Sequence, residues 1–374
     1  MSCKKSSRSS PEKTIAVLPG DGIGPEVIRA ALAVLNVIAE LFQQRFQTTE
    51  ALIGGAALEA TGVPLPEETL QACQRADAIL LGAVGGPQWD ALPLQQRPET
   101  GLLQLRKKLE LYANLRPIRP LPGLQDVCPL KEQVIRDVDL VIVRELTGGI
   151  YYGPRWTSTE DGFEAALDAE FYTACQVERI ARLAFSLARA RKKKVTSVDK
   201  ANVLASSQLW RRTVERTWKY FPDVSLAHMY VDNCALQLVR NPRQFDIILT
   251  SNLFGDILSD AAASLEGSLG MLPSLCRGNR AILVEPVHGA APDLAGKDQA
   301  SPLGAIRCIG IMLREAFGLR EEAALLEEAI ASTLHRGYRT VDIASTQSVV
   351  VGTAKMAELI CQEIRRHQKN AAHS

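Results

Sequence analysis

Short apolar runs alternate with longer stretches of helical periodicity along this chain. Residues 14–18 form an apolar, β-favouring run, followed by the turn Pro19-Gly20-Asp21-Gly22-Ile23-Gly24-Pro25. From about residue 26 to 42 the apolar residues Val27, Ala31, Val34, Ile38 and Leu41 recur on one helix face. Pro25 suits a first helical turn, where its missing N–H is no loss. The same reasoning predicts strands at 78–81, 138–143, 194–198 and 245–250, with helices over 171–191 and 206–220. This alternation predicts an α/β protein whose helices cover a largely parallel sheet. Glycine and proline cluster at 82–87, 117–123, 148–154 and 286–296, marking the loops where α/β folds collect functional groups. The Gly20-x-Gly22-x-Gly24 turn lacks the spacing of a dinucleotide fingerprint and the Lys-Ser/Thr ending of a P-loop. It is read as a tight strand-to-helix turn that needs unusual backbone angles.

Composition narrows the class. The 374 residues suffice for one large domain or two ordinary ones, and 46% apolar with 23% charged residues is the profile of a soluble globular protein. A net charge of +1 gives no global field for nucleic acid or a membrane surface. The basic run 189–194 reads as a solvated helix end. Eight scattered cysteines without a Cys-x-x-Cys pair read as reduced, cytosolic thiols, so a cytoplasmic location is expected. The segment MSCKKSSRSSPEK has no apolar core and does not read as a secretory signal, and no apolar stretch approaches membrane-spanning length. Five scattered histidines do not suggest a histidine-built metal site.

The candidate chemistry centres on TSNLFGDILSD, residues 250–260. If the segment is helical, Asp256 and Asp260 share a face. Two hard oxygen donors, without nearby Lys or Arg to neutralise them, suit a divalent cation such as magnesium. The alternative is a solvated helix face bearing two like charges. Arg106, Arg116 and Arg144 offer guanidinium forks for a di- or tricarboxylate, against the alternative of surface ion pairs. Arg144 is the most suggestive of them, because it ends an apolar strand where a charge needs a partner. Tyr151, beside glycines, suits either packing or proton transfer. Lys200 follows a strand and suits a base if its pKa falls, or a plain surface lysine. Asp232 is a candidate third carboxylate. The stiff loop from Glu285 through His288 to Asp293 offers amides, an imidazole and an acid for a ribose hydroxyl.

Ten segments occur together: LPGDGIGPEV, PETGLLQLR, ANLRP, VRELTGGIYYG, SVDKANVL, YVDN, NLFGDILSD, GSLGMLPS, EPVHG and VGTAKM. In order and spacing, from about residue 14 to 364, the chain resembles the β-decarboxylating dehydrogenases, the family of the isocitrate and isopropylmalate enzymes. The resemblance implies NAD-dependent oxidation of a 2-hydroxy acid followed by loss of its β-carboxylate as CO2. It implies a two-domain α/β fold with a shared mixed sheet, distinct from the common dinucleotide-binding (Rossmann) fold. The expected domains are a large one over 14–111 and 267–374, carrying the NAD loop, and a small one over 112–266. The small domain carries the dimer interface and an arm at about 145–170, and residues 1–13 are an expected disordered tail.

By the same resemblance, Arg106, Arg116 and Arg144 clamp the substrate carboxylates. Asp256 and Asp260 hold one Mg2+ or Mn2+ per active site, with Asp232 of the partner subunit. Lys200 of the partner subunit starts proton removal, and Tyr151 protonates the enolate. The homodimer then shares its active sites between subunits. Glu285, His288, Gly289, Ala290, Ala291, Pro292, Asp293 and Ser301 hold NAD, and Asp293 disfavours NADP. Ala290 stands where the family has serine, and Ser301 where it has an asparagine that reaches the adenine, which implies weaker or water-mediated contact there. Glu99, Leu102 and Leu103 face the variable group of the substrate, and Asn202 and Val203 also bind the substrate. Leu102, Leu103 and Val203 make an apolar wall that suits an isopropyl group, whereas a carboxylate against leucine is costly. The expected branch is therefore the isopropylmalate one, in leucine biosynthesis.

Overall fold

The structure, a computed structural model, describes residues 11–371. The opening segment through residue 10, including Cys3 and most of the expected tail, lies outside the described residues. In chain order the strands are β1 (Lys13–Gly20), β2 (Phe46–Glu50), β3 (Ala78–Ala83), β4 (Ala113–Ile118), β5 (Leu140–Glu145), β6 (Arg155–Glu160), β7 (Phe163–Asp168), β8 (Lys194–Asp199), β9 (Ser225–Tyr230), β10 (Ile247–Thr250), β11 (Pro273–Arg277), β12 (Ile282–Pro286), β13 (Tyr338–Arg339) and β14 (Val349–Val350). The α-helices are α1 (Gly24–Phe42), α2 (Gly54–Thr61), α3 (Glu67–Arg75), α4 (Pro98–Lys108), α5 (Glu132–Ile135), α6 (Ala174–Arg189), α7 (Ala205–Trp218), α8 (Val231–Arg240), α9 (Asn252–Ala263), α10 (Leu303–Glu315), α11 (Arg320–His335) and α12 (Thr353–Ala371).

The chain divides into two compact units, one running to Leu102 and resuming at Ile282, the other spanning Leu103–Ala281. In the first, the strand order is β2-β1-β3-β12, and every pairing is parallel. Parallel strands need helical crossovers, and α1, α10, α11 and α12 pack together to supply that cover. β3 is buried throughout and β1 through its central residues Ile15, Ala16, Val17 and Leu18, as strands covered on both faces must be. In the second unit the order is β11-β4-β5-β10-β8-β9. β5, β10, β8 and β9 are parallel, whereas β4 runs antiparallel to both β5 and β11. The sheet is therefore mixed: the largely parallel expectation holds across the first unit's strands and from β5 to β9, and β4 departs from it. β6 and β7 form a separate hairpin, closed by Asp161-Gly162 at φ +51° and +82°, the left-handed pair that a two-residue hairpin turn favours.

Element boundaries moved where local hydrogen bonding overrode periodicity. The helix expected from residue 171 starts at Ala174, because Thr173 and Gln176 form a reciprocal capping box. The strand expected from residue 138 starts at Leu140, since Asp137 is left-handed and Val138 N–H closes a turn onto the Ile135 carbonyl. Pro25 does sit in the first turn of α1.

The turn after β1 is a strand-to-helix junction, as its glycines suggested. Gly20 has φ +71°, and a Cβ there would overlap the Ala83 carbonyl. The turn is pinned by Asp21, whose buried carboxylate accepts from the amides of Gly55, Ala56 and Gly85, each at 2.8 Å. Gly20→Ala is therefore predicted to lower unfolding stability by about 2 kcal/mol or more, from left-handed strain plus backbone overlap. Urea titration of the variant against the parent measures it.

Candidate active site

The richest polar cluster lies in the second unit and begins on the β4–β5 pair. Alternation puts Asn114 and Arg116 on one face of β4, and the antiparallel register sets Arg144 of β5 opposite Asn114. Both guanidinium groups are nearly out of solvent, at 6% exposure for Arg116 and 3% for Arg144. Buried cations need partners, and α9 delivers them. The segment quoted from the sequence is helical here, so Asp256 and Asp260 project together. Arg116 donates through Nη1 to Asp260 Oδ1 at 2.8 Å and to Ser259 Oγ at 2.6 Å, and through Nη2 to Asp256 Oδ1 at 3.2 Å. Arg144 Nη1 donates to the same Asp256 oxygen, and Tyr151 Oη donates to the other at 3.0 Å.

Expecting no Lys or Arg beside the aspartates was incorrect. Nothing in the segment itself neutralises them, but the neighbouring strands bring in two arginines. α9 lies this close because residue 255 is glycine: a Cβ there would press on the Arg144 stem at 2.6–2.7 Å.

The cluster divides the two acids electrostatically. Burial alone would raise Asp256, but Arg144 and Arg116 outweigh it and hold the carboxyl below its ordinary value. Burial dominates at Asp260, which is raised despite Arg116. Burial, then the negative charge of Asp256, raises the Tyr151 phenol, so Tyr151 carries its proton at neutral pH and can donate it. Burial, followed by repulsion from Arg116 and Arg106, lowers the Arg144 guanidinium.

Amides that the sequence reading did not single out complete the cluster. Asn114 Oδ1 takes Arg116 Nε at 2.8 Å, while its Nδ2 donates to Ser274 Oγ at 3.0 Å. Asn252 Oδ1 takes Arg144 Nε and Nη2 at 3.0 and 2.9 Å. Both were legible in principle: Asn114 lies two residues before Arg116 on a strand, and Asn252 four before Asp256 on a helix.

Other expected residues lie elsewhere. Lys200, just after β8, donates from Nζ to Asp232 Oδ1 at 2.5 Å, and this bond lowers the Asp232 carboxyl. Asp232 begins α8, and Asn202 and Val203 are exposed beside Lys200. Among the described residues, no three His, Cys, Asp or Glu side chains gather as a metal group. Arg106, in the last turn of α4, by contrast stands close enough to the cluster to act on Arg144 and Asp256 electrostatically. Leu102 and Leu103, in the same helix, are half-buried.

In the first unit, Glu99 opens α4 with its carboxylate against Gly85. Glu285, buried, lies on β12, and the loop after it runs through His288, Gly289, Ala290, Ala291, Pro292 and Asp293. Ala290 is buried, and its carbonyl accepts from Ile23 N–H at 2.8 Å. His288 Nε2 and Ser301 Oγ are buried atoms that have no hydrogen-bond partner among the described residues. Burial depresses the His288 pKa, so this imidazole is neutral at neutral pH.

These features can be set beside known proteins. A family profile described as Isocitrate/isopropylmalate dehydrogenase matches residues 14–360. A 3-isopropylmalate dehydrogenase of Aquifex aeolicus is 53% identical over 94% of this chain and 97% of its own length. One of Geobacillus kaustophilus is 55% identical over 92% of this chain and 94% of its own. Among solved structures, isocitrate dehydrogenase from Methylococcus capsulatus superposes with TM-score 0.84 at 36% identity, covering 94% of this chain and 99% of that one. A beta-decarboxylating dehydrogenase from Thermococcus kodakarensis gives 0.75 at 36% identity, covering 95% and 96%. The chain belongs to the isocitrate/isopropylmalate dehydrogenase family, is an oxidoreductase, and has the fold of that family rather than the Rossmann fold.

The lowered Asp256 pKa generates a prediction. A carboxyl depressed on folding stabilises the protein above its unfolded value, near ~3.9, and that contribution is lost as pH falls through the folded value. Asp256→Asn is predicted to cost about 1–2 kcal/mol near neutral pH, the lower part of the range for charge-assisted bonds, because 34% of the Asp256 side chain is exposed. The gap to the parent narrows towards pH 2.5, as urea titrations at several pH values would measure.

Proposed function

We propose that the chain is a 3-isopropylmalate dehydrogenase of leucine biosynthesis. It oxidises (2R,3S)-3-isopropylmalate with NAD and a divalent cation, releasing 4-methyl-2-oxopentanoate and CO2. The observation that carries this reading is identity above 50% to curated 3-isopropylmalate dehydrogenases across nearly the whole of both chains. Leu102 and Leu103 support it, because a third carboxylate would lose hydration against them.

The donor set of α9 fits a magnesium or manganese ion: two hard carboxylates one helical turn apart, with solvent access to Asp256 and Asp260. The unpartnered His288 Nε2 and Ser301 Oγ fit a polar cofactor at the loop after β12, where Asp293 would accept from ribose hydroxyls and disfavour a 2′-phosphate. When bound, the cation supplies Lewis acidity at the C2 oxygen and NAD accepts the hydride.

The protein groups do the rest. Arg106, Arg116 and Arg144 fork onto the substrate carboxylates and fix its orientation. Lys200 of the partner subunit takes the hydroxyl proton. Once CO2 has left, Tyr151, protonated in its buried setting, returns a proton to the enolate carbon. Asp232 of the partner subunit adds the third carboxylate to Asp256 and Asp260. Exposed apolar side chains support a homodimer: Trp156 and Phe163 on the hairpin, Leu236 and Val239 on α8, and Ile257 on α9.

The decisive assay is NADH formation from isopropylmalate with magnesium, run beside isocitrate, homoisocitrate and tartrate and repeated with NADP. Isopropylmalate with NAD is predicted to be preferred, and a clear preference for another acid sinks the reading. Shared sites give a second prediction. Lys200→Ala and Asp256→Asn are each predicted to be inactive, but unfolding and refolding them together restores activity, because each mixed dimer pairs one intact Lys200 with one intact Asp256. No restoration would place both residues in a single-chain site.

A further inference from the structure

We propose that Asn252 is the positioning residue that ties the Arg144 guanidinium to the turn carrying Tyr151, so that substrate clamp and proton donor move as one. The proposal rests on the isopropylmalate reading and assigns a role to a residue outside the expected set. Asn252 is 1% exposed and opens α9. Its side-chain amide and its backbone N–H are both committed. Its Oδ1 accepts from Arg144 Nε at 3.0 Å and Nη2 at 2.9 Å, gripping one edge of the guanidinium. That grip fixes a planar fork with five donors by two of them and leaves the other edge directed at Asp256. Its Nδ2 donates to the Gly148 carbonyl at 3.0 Å. Its backbone N–H donates to Tyr172 Oη at 2.8 Å.

Gly148 is three residues before Tyr151, and the far side of this turn is held as well. The Glu145 carboxylate accepts from the Gly148 amide at 2.8 Å, and Gly149 N–H donates to the Phe171 carbonyl at 2.9 Å. The turn is therefore rigid, and a shift at Gly148 passes to Tyr151. Asn252 is the one side chain that bonds both Arg144 and this turn among the bonds described. Asparagine suits the task because it offers an acceptor and a donor on one short, flat group; neither aspartate nor alanine offers both.

This asymmetry makes the proposal testable. Asn252→Ala loses both links. Asn252→Asp keeps two oxygens for Arg144 but has no donor for the Gly148 carbonyl. With saturating NAD and magnesium, Asn252→Ala is expected to raise KM for isopropylmalate about ten-fold and lower kcat about a hundred-fold. Asn252→Asp is expected to return KM to within about three-fold of the parent while kcat stays low. Ile180→Ala, a cavity in the buried core of the same unit, controls for lost stability: its Tm falls, but kcat stays within about two-fold. The proposal is overturned if Asn252→Asp keeps the parental kcat, or if Asn252→Asp and Ile180→Ala lose kcat in proportion to their loss of Tm. Should the parent prefer isocitrate, homoisocitrate or tartrate, the same variants are run on that acid. The substrate reading then fails while the role of Asn252 is still decided.

Discussion

Two guanidinium groups removed from water, at Arg116 and Arg144, are the constraint around which the second unit is arranged. A buried cation without partners costs several kcal/mol, so each arginine must find a carboxylate and saturate its remaining N–H groups. Much of the local sequence follows from that requirement. The β4–β5 register brings the arginines to one face. Asp256 and Asp260 answer them from α9 one turn apart. Asn114, Asn252 and Ser259 take the donors that the aspartates leave. Gly255 lets the helix lie on the Arg144 stem. The aspartates thus meet a structural need as well as a chemical one.

The alternation of short strands and periodic helices was enough to read the α/β class, the β1–α1 junction and eight elements, five strands and three helices. The antiparallel β4 was not legible in this way, because Asn114, Arg116 and Pro117 interrupt its apolar residues and six residues carry no sign of their neighbours' direction. Asp256 and Asp260 were visible as a pair, but their neutralisation was not. The arginines lie more than a hundred residues away in sequence, and only the sheet register brings them near. Thr173 and Val138 show the same limit at smaller scale: helix and strand ends were settled by a cap and a turn whose bonds outweigh apolar periodicity.

The first unit shows the opposite balance between packing and polar satisfaction. Asp21 draws three amides onto one carboxylate, and the Ala290 carbonyl is used by Ile23 N–H, so the backbone of the turn and loop is tied down. His288 Nε2 and Ser301 Oγ remain unsatisfied inside this frame. Buried polar atoms left this way normally mark a missing partner. Ser301 offers only a short reach. A hydroxyl at that depth contacts a bound nucleotide only if the ligand approaches closely or a water fills the gap.

Charge arithmetic joins these observations to the proposed chemistry. Arg116 and Arg144 together balance Asp256 and Asp260, so the cluster as folded is formally neutral. A divalent cation added alone would leave two uncompensated positive charges beside two half-buried carboxylates, and a dicarboxylate added alone would leave two negative ones. Added together, they would restore neutrality: Asp256 and Asp260 would hold the cation, and the freed guanidinium edges of Arg116 and Arg144 would hold the substrate carboxylates. A third carboxylate, from Asp232 of the partner subunit, would then serve to offset Lys200, the cation it already pairs with in this chain. As an ion pair the two would add no net charge to a site they entered; to act as the proposed base Lys200 would first give up its own proton, and Asp232 would then be free to turn to the cation.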